Sequence, residues 1–110
     1  MTSRSVQRGE KGMTANELTR LVVEYLTIRG AFAWRNNTGS VFAAGRRIKF
    51  GYPGSGDILG LTRDGRFLSI EIKVGKDVES EDQIMFREMV RDKGGLAFVV
   101  REFKDIEGVI

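Results

Sequence analysis

Cysteine and histidine are both absent from this 110-residue chain, which excludes thiolate nucleophiles, disulfides, zinc knuckles and imidazole general bases at once. Any catalysis must therefore use carboxylates, lysine, hydroxyls or a hard cation held by oxygen ligands. Proline occurs once, and hydrophobic residues make up 41% against 30% charged. That balance leaves out collagen-like and disordered classes and fits a folded domain. Long apolar runs are missing too: nothing approaches a membrane span, and Met1 to Gly12 offers no signal-peptide core. We therefore expect a cytoplasmic protein with no membrane partner. A chain this short buries one modest core, and two copies together bury more, so a homodimer is expected.

Negative charge is missing from one long interval. Between Glu24 and Asp57 there is no acidic residue, while Arg29, Arg35, Arg46, Arg47 and Lys49 all fall there. The net charge of +3 is thus concentrated rather than spread. Trp34, Phe42, Phe50 and Tyr52 are interleaved with these cations, a mixture suited to neutralising phosphates and stacking on bases. The plainer reading is a hairpin with a solvated basic face and its rings in the core. We place the aromatics in the core and read the basic residues as a phosphate-binding face.

Residues 1–12 are polar and basic and read as a flexible arm, with a single domain over 13–110. Thr14 and Glu17 form a capping-box pattern, followed by an apolar stripe of Leu18, Leu21, Val22, Tyr25 and Leu26 that ends at Gly30, which predicts a first helix. Extended pieces are expected at Ala31–Trp34, Val41–Ala44 and Arg47–Tyr52, then at Asp57–Leu61 and Phe67–Val74 around an Asp64-Gly65 turn. Ser80 with Gln83 caps a second helix that Gly94-Gly95 ends, and Leu96–Val100 reads as a buried strand. This order is that of a mixed α/β sandwich with helices covering a sheet.

Alternation in Phe67–Val74 sends Leu68, Ile70, Ile72 and Val74 to one face and Glu71 with Lys73 to the other. A carboxylate and an ammonium in so apolar a strand need partners, because burying either alone is costly. The bland explanation is an ion pair facing water. Asp57 tips the balance, because it opens the preceding strand after the Pro53–Gly56 loop and can converge with them. Two carboxylates are what a hard cation such as magnesium uses, with water and phosphate completing its shell. Lys73 would orient water or stabilise charge on phosphate. Register decides whether this works. A two-residue turn with Arg63 opposite Arg66 would put Asp57 opposite Ile72 on the wrong face, so the site requires an odd-numbered loop or a bulge.

Asp57 and, fourteen residues on, Glu71-Ile72-Lys73 resemble the Asp…Glu-x-Lys signature of the PD-(D/E)xK nucleases. The ordered set Gly56-Asp57-Ile58-Leu59-Gly60, Gly65-Arg66-Phe67-Leu68, Glu71-Ile72-Lys73, Ser80-Glu81-Asp82-Gln83, Gly94-Gly95 and Val99-Val100-Arg101 is similar to the VRR-NUC branch, found as free-standing bacterial and phage proteins. It spans residues 14–102. The resemblance implies a restriction-endonuclease-like mixed β-sheet flanked by helices in the order α-β-β-β-α-β. It also implies an endonuclease dependent on Mg2+ or Mn2+, often dimeric, acting on branched DNA such as Holliday junctions. By position Asp57 and Glu71 match metal ligands, together with the Ile72 carbonyl and Glu17. Lys73 matches the catalytic lysine, and Gln83 and Glu17 further catalytic residues. Both Glu17 and Gln83 also sit where a capping box alone would put them. Arg29, Arg35, Arg46, Arg47 and Lys49 would contact the DNA. Gly56 stands where the family usually has proline, and Glu102 where it has a second arginine. Glu79, Glu81, Asp82 and Glu88 are read as a solvated acidic patch. A non-catalytic nucleic-acid-binding module using the basic 29–50 segment is the competing expectation.

Overall fold

The computed structural model describes residues 12–110, so the expected arm falls outside the described residues but for Gly12. Thr14 and Glu17 close their capping box and start α1, Ala15–Ile28. Its stripe buries Leu18, Val22 and Leu26, with Leu21 and Tyr25 half-buried at the margin. The chain reverses at Gly30 and enters β1, Phe32–Arg35, followed by β2, Gly39–Ala43, and β3, Arg46–Phe50. After the glycine-rich loop come β4, Ile58–Leu61, and β5, Phe67–Ile72. A second completed capping box, Ser80 with Gln83, starts α2, Glu81–Asp92, which leads to β6, Leu96–Val100, and a 3-10 turn at Phe103–Asp105.

The main sheet is mixed, in the order β1-β4-β5-β6, with β5 and β6 parallel and the other pairs antiparallel. β2 and β3 form a separate two-stranded hairpin. Five strands therefore stand between the helices where the α-β-β-β-α-β order expects three, and the extra two are this hairpin. No helix among the described residues is long and apolar enough to cross a membrane.

The core lies between α1 and one face of the sheet. Leu18, Val22 and Leu26 meet Ile58, Leu68, Ile70, Ile72 and Val100, and Ile106 beyond the last strand closes it. The segment after Val100 carries no periodicity that predicts this, yet Phe103 packs edge-on to Tyr25 at 5.1 Å and the Tyr25 hydroxyl accepts from the Gly108 N–H. By alternation the opposite face carries Phe32, Trp34, Leu59, Leu61, Phe67, Ser69, Glu71 and Ala97. The second helix covers only its β5–β6 side, with Val90 buried there.

The expectation that the aromatics of the basic segment pack in the core is overturned. Trp34 is 42% exposed, Phe42 73%, Phe50 44% and Tyr52 70%. The hairpin pairs only with itself and every residue of it is exposed, so its alternation has no buried side to serve. Trp34 lies on the part of the sheet that α2 leaves open.

Candidate active site

Register is what brings the carboxylates together. Thr62 N–H donates to the Arg66 carbonyl at 2.8 Å across a three-residue loop whose last member, Gly65, has φ +89°. This is the odd-numbered turn the site requires, and the left-handed conformation at its third position suits glycine. Ile58 consequently pairs with Ile70, which sets Asp57, just before the strand, level with Glu71. One Asp57 oxygen, Oδ2, accepts from the Ile72 N–H at 2.7 Å. A strand residue's carbonyl lies on the same edge as its N–H, so the Ile72 carbonyl faces the Asp57 side as well.

Glu71 is 3% exposed, and both its oxygens are buried with no hydrogen-bond partner. Buried polar atoms are nearly always paired, so an orphaned carboxylate asks for an explanation. Burial, and after it the negative charge of Asp57, push its pKa from 4.5 up to about 7, while the Lys73 ammonium opposes the rise. Those charges place Asp57 and Lys73 within electrostatic reach of Glu71, as the sequence expects. The donor set is one a hard cation uses, because such an ion needs one or two protein carboxylates and takes its other oxygens from water and phosphate.

Other expected residues fare differently. The first helix reverses into β1 and α2 follows β5, so Glu17 and Gln83 both lie toward the Asp57–Glu71 end of the sheet. The Glu17 Oε1 accepts from the Thr14 N–H at 2.8 Å, and the Gln83 Oε1 from the Ser80 N–H at 2.8 Å. Both side chains therefore cap their helices. Among the described residues no three carboxylates are gathered closely enough to hold an ion by themselves, so Glu17 does not complete a triad with Asp57 and Glu71. Arg35, Arg46, Arg47 and Lys49 lie on β1 and the exposed hairpin, which leaves the sheet at the Asp57 end because Arg35 pairs with Ile58. Arg29 is elsewhere. Its Nε donates to the Ile110 carbonyl at 2.8 Å, beside Arg63 and Asp64 at the far end of β4.

Three residues to which the sequence reading gave no part in the site, Asn36, Glu79 and Arg87, help to build it. Asn36 donates through Nδ2 to the Ser55 hydroxyl and the Gly56 carbonyl, and its N–H donates to the Asp57 carbonyl at 2.8 Å. This amide anchors the loop that carries Asp57. Glu79 is not a solvated acid but half of a bidentate pair with Arg87, at 2.6 and 3.0 Å, and both charges act on Glu71. The i to i+8 spacing of Glu79 and Arg87 spans a helix start, so no single-helix periodicity reveals it.

Gly56 also acquires a reason. A Cβ there would lie 2.5 Å from the Ser69 hydroxyl and 2.7 Å from the Ile70 carbonyl, and strand backbone has little room to move. Alanine or proline there would force the loop away from β5. Gly56→Ala is expected to destabilise the fold by about 1–3 kcal/mol, the usual cost of overpacking, read from the urea midpoint. An unchanged midpoint would show that the loop gives way freely.

Comparison with protein-family models, with curated proteins and with solved structures returns no match.

Proposed function

We propose that this chain is a divalent-cation-dependent endonuclease that hydrolyses DNA phosphodiesters, of the VRR-NUC type and selective for branched DNA such as Holliday junctions. The observation that carries the reading is the Glu71 carboxylate, buried without a partner beside Asp57 and Lys73. Evolution tolerates such a cost where an ion or a reaction needs the charge. Asp57, Glu71 and the Ile72 carbonyl would hold Mg2+ or Mn2+. When bound, the cation would supply Lewis-acid stabilisation of a phosphoryl oxygen and a lowered pKa for a nearby water. Lys73 places its ammonium at that end of the strand, where it balances charge building on phosphate. Arg35 and the hairpin residues Arg46, Arg47 and Lys49 stand in solvent next to the site and would neutralise flanking phosphates. Two copies would present two such sites to a junction, and sedimentation at working concentration measures that pairing.

The test is a panel of labelled four-way junction, flap, duplex and single-strand DNAs incubated with magnesium and with manganese. Cation-dependent cleavage that is strongest on a branched substrate is expected, and no cleavage of any member would end the enzyme reading. The exposed basic hairpin by itself favours a second reading, a binding module without catalysis. Binding with no cleavage would select it. Under either reading, Arg46→Glu with Arg47→Glu is expected to weaken DNA binding at least tenfold and to flatten the dependence of log affinity on log salt by about 2, roughly one per lost phosphate contact. A slope unchanged from the parent would remove the hairpin from the interface.

A further inference from the structure

Beside the carboxylates, the sheet face that α2 leaves open presents an aromatic strip. Phe32 and Trp34 sit two apart on β1 with ring centroids 5.1 Å from each other, 68% and 42% exposed. Phe32 pairs with Leu61 and Leu61 with Phe67, both also exposed, while Trp34 pairs with Leu59. All of these belong to the face that carries Glu71. Trp34 lies one strand across and two residues along from Asp57, on the order of 8 Å between alpha carbons. From Phe67 the strip runs into a groove of about 880 Å³ against α2, where Tyr52, Met85 and Met89 supply apolar walls.

What occupies this face is indicated by charge. Arg66 and Lys93 line the groove against a single lining acid, Asp82. At the other end of the strip, beyond Trp34, the hairpin cations leave the sheet. A second copy docked here about a two-fold axis would set these cations against their own images. A chain of phosphates carrying flat apolar bases matches both the sign and the rings, because unpaired bases stack on exposed aromatics whatever their identity. We propose that the Phe32–Trp34 strip binds unpaired nucleobases, so that among branched DNAs the favoured one carries, or opens at its branch point, single-stranded nucleotides next to the scissile phosphate. This rests on the nuclease reading only for the position of that phosphate.

Trp34 is the single tryptophan of the chain, so its emission reports stacking in the unmodified protein. The experiment titrates the parent, in EDTA so that nothing is cut, with a 12-nucleotide oligothymidylate and with a blunt duplex of equal length, following both tryptophan emission and the anisotropy of a labelled strand. Strong quenching by the single strand is expected, with much less by the duplex. Trp34→Ala is expected to weaken single-strand binding about tenfold and duplex binding less than twofold, and Trp34→Phe to restore most of the loss. Binding of the single strand without quenching, or an equal loss on both DNAs in Trp34→Ala, would overturn the proposal while leaving the nuclease reading intact. A shift of Trp34→Ala to a smaller species in sedimentation, with DNA binding unchanged, would instead mark the strip as a protein interface and overturn it. Quenching in a protein that cleaves no DNA would uphold the base platform and end the enzyme reading.

Discussion

Glu71→Gln is expected to abolish cleavage and, with divalent cations removed, to leave a protein more stable than the parent at pH 8. The sign follows from the raised pKa, 4.5 in the unfolded chain and about 7 in the fold. Below pH 4.5 both states hold the proton and the side chain contributes no pH dependence. Between pH 4.5 and 7 the unfolded chain releases its proton while the folded chain keeps it, so stability falls as pH rises. Above 7 the loss is complete, on the order of 3 kcal/mol at 1.36 kcal/mol per pH unit. Glutamine cannot ionise, so this slope disappears. Its amide remains buried in the same place and costs about 1–3 kcal/mol if unpaired, so near pH 5 the variant should be no more stable than the parent. The two stability curves are therefore expected to cross. Urea unfolding of both proteins at pH 5, 6.5 and 8 in EDTA measures this, and parallel curves would show that Glu71 is not an ionised buried group. Adding magnesium or manganese at pH 8 should then raise the parent's midpoint and leave the variant's in place, since only a ligand that prefers the folded state stabilises it.

Most of the fold is legible in the sequence because its signals are local. Thr14 with Glu17, and Ser80 with Gln83, mark helix starts that depend on three residues each, and both boxes form as expected. The alternation of Leu68, Ile70 and Ile72 fixes a face by counting in twos, and all three are buried. The Asp57–Glu71 alignment was legible in a weaker form. The chemistry demanded an odd-numbered turn, and Gly65 in the left-handed region supplies it. What escaped the sequence depends on which surfaces meet. Whether Phe42 or Trp34 is covered is decided by where α2 lies and by whether the β2–β3 hairpin folds back, and no residue within those strands encodes either. Asn36 reads as a turn former from its neighbours Asn37 and Gly39, and its hold on Ser55, Gly56 and Asp57 appears only when the sheet is closed. Glu79 reads as one acid among several until Arg87 is brought round by the helix.

Asp57→Asn and Lys73→Ala should each remove cleavage by about a hundredfold or more, the scale of losing one group that stabilises transition-state charge, while DNA binding in EDTA stays within twofold. Folding should survive in both. Asparagine keeps an oxygen that can accept from the Ile72 N–H, and Lys73 is only half-buried at the end of its strand. The two variants also make opposite predictions about Glu71, which separates an arranged site from a chance cluster. The Asp57 charge helps to hold the Glu71 proton on, and the Lys73 charge helps to drive it off. In Asp57→Asn the fall in stability with rising pH should therefore finish at a lower pH than in the parent, and in Lys73→Ala at a higher one. Both are read by the same urea series in EDTA, with no substrate present. Parent-like cleavage by Asp57→Asn would remove that carboxylate from the chemistry. A pH midpoint that moves in the same direction in both variants would mean that the three charges do not share one site.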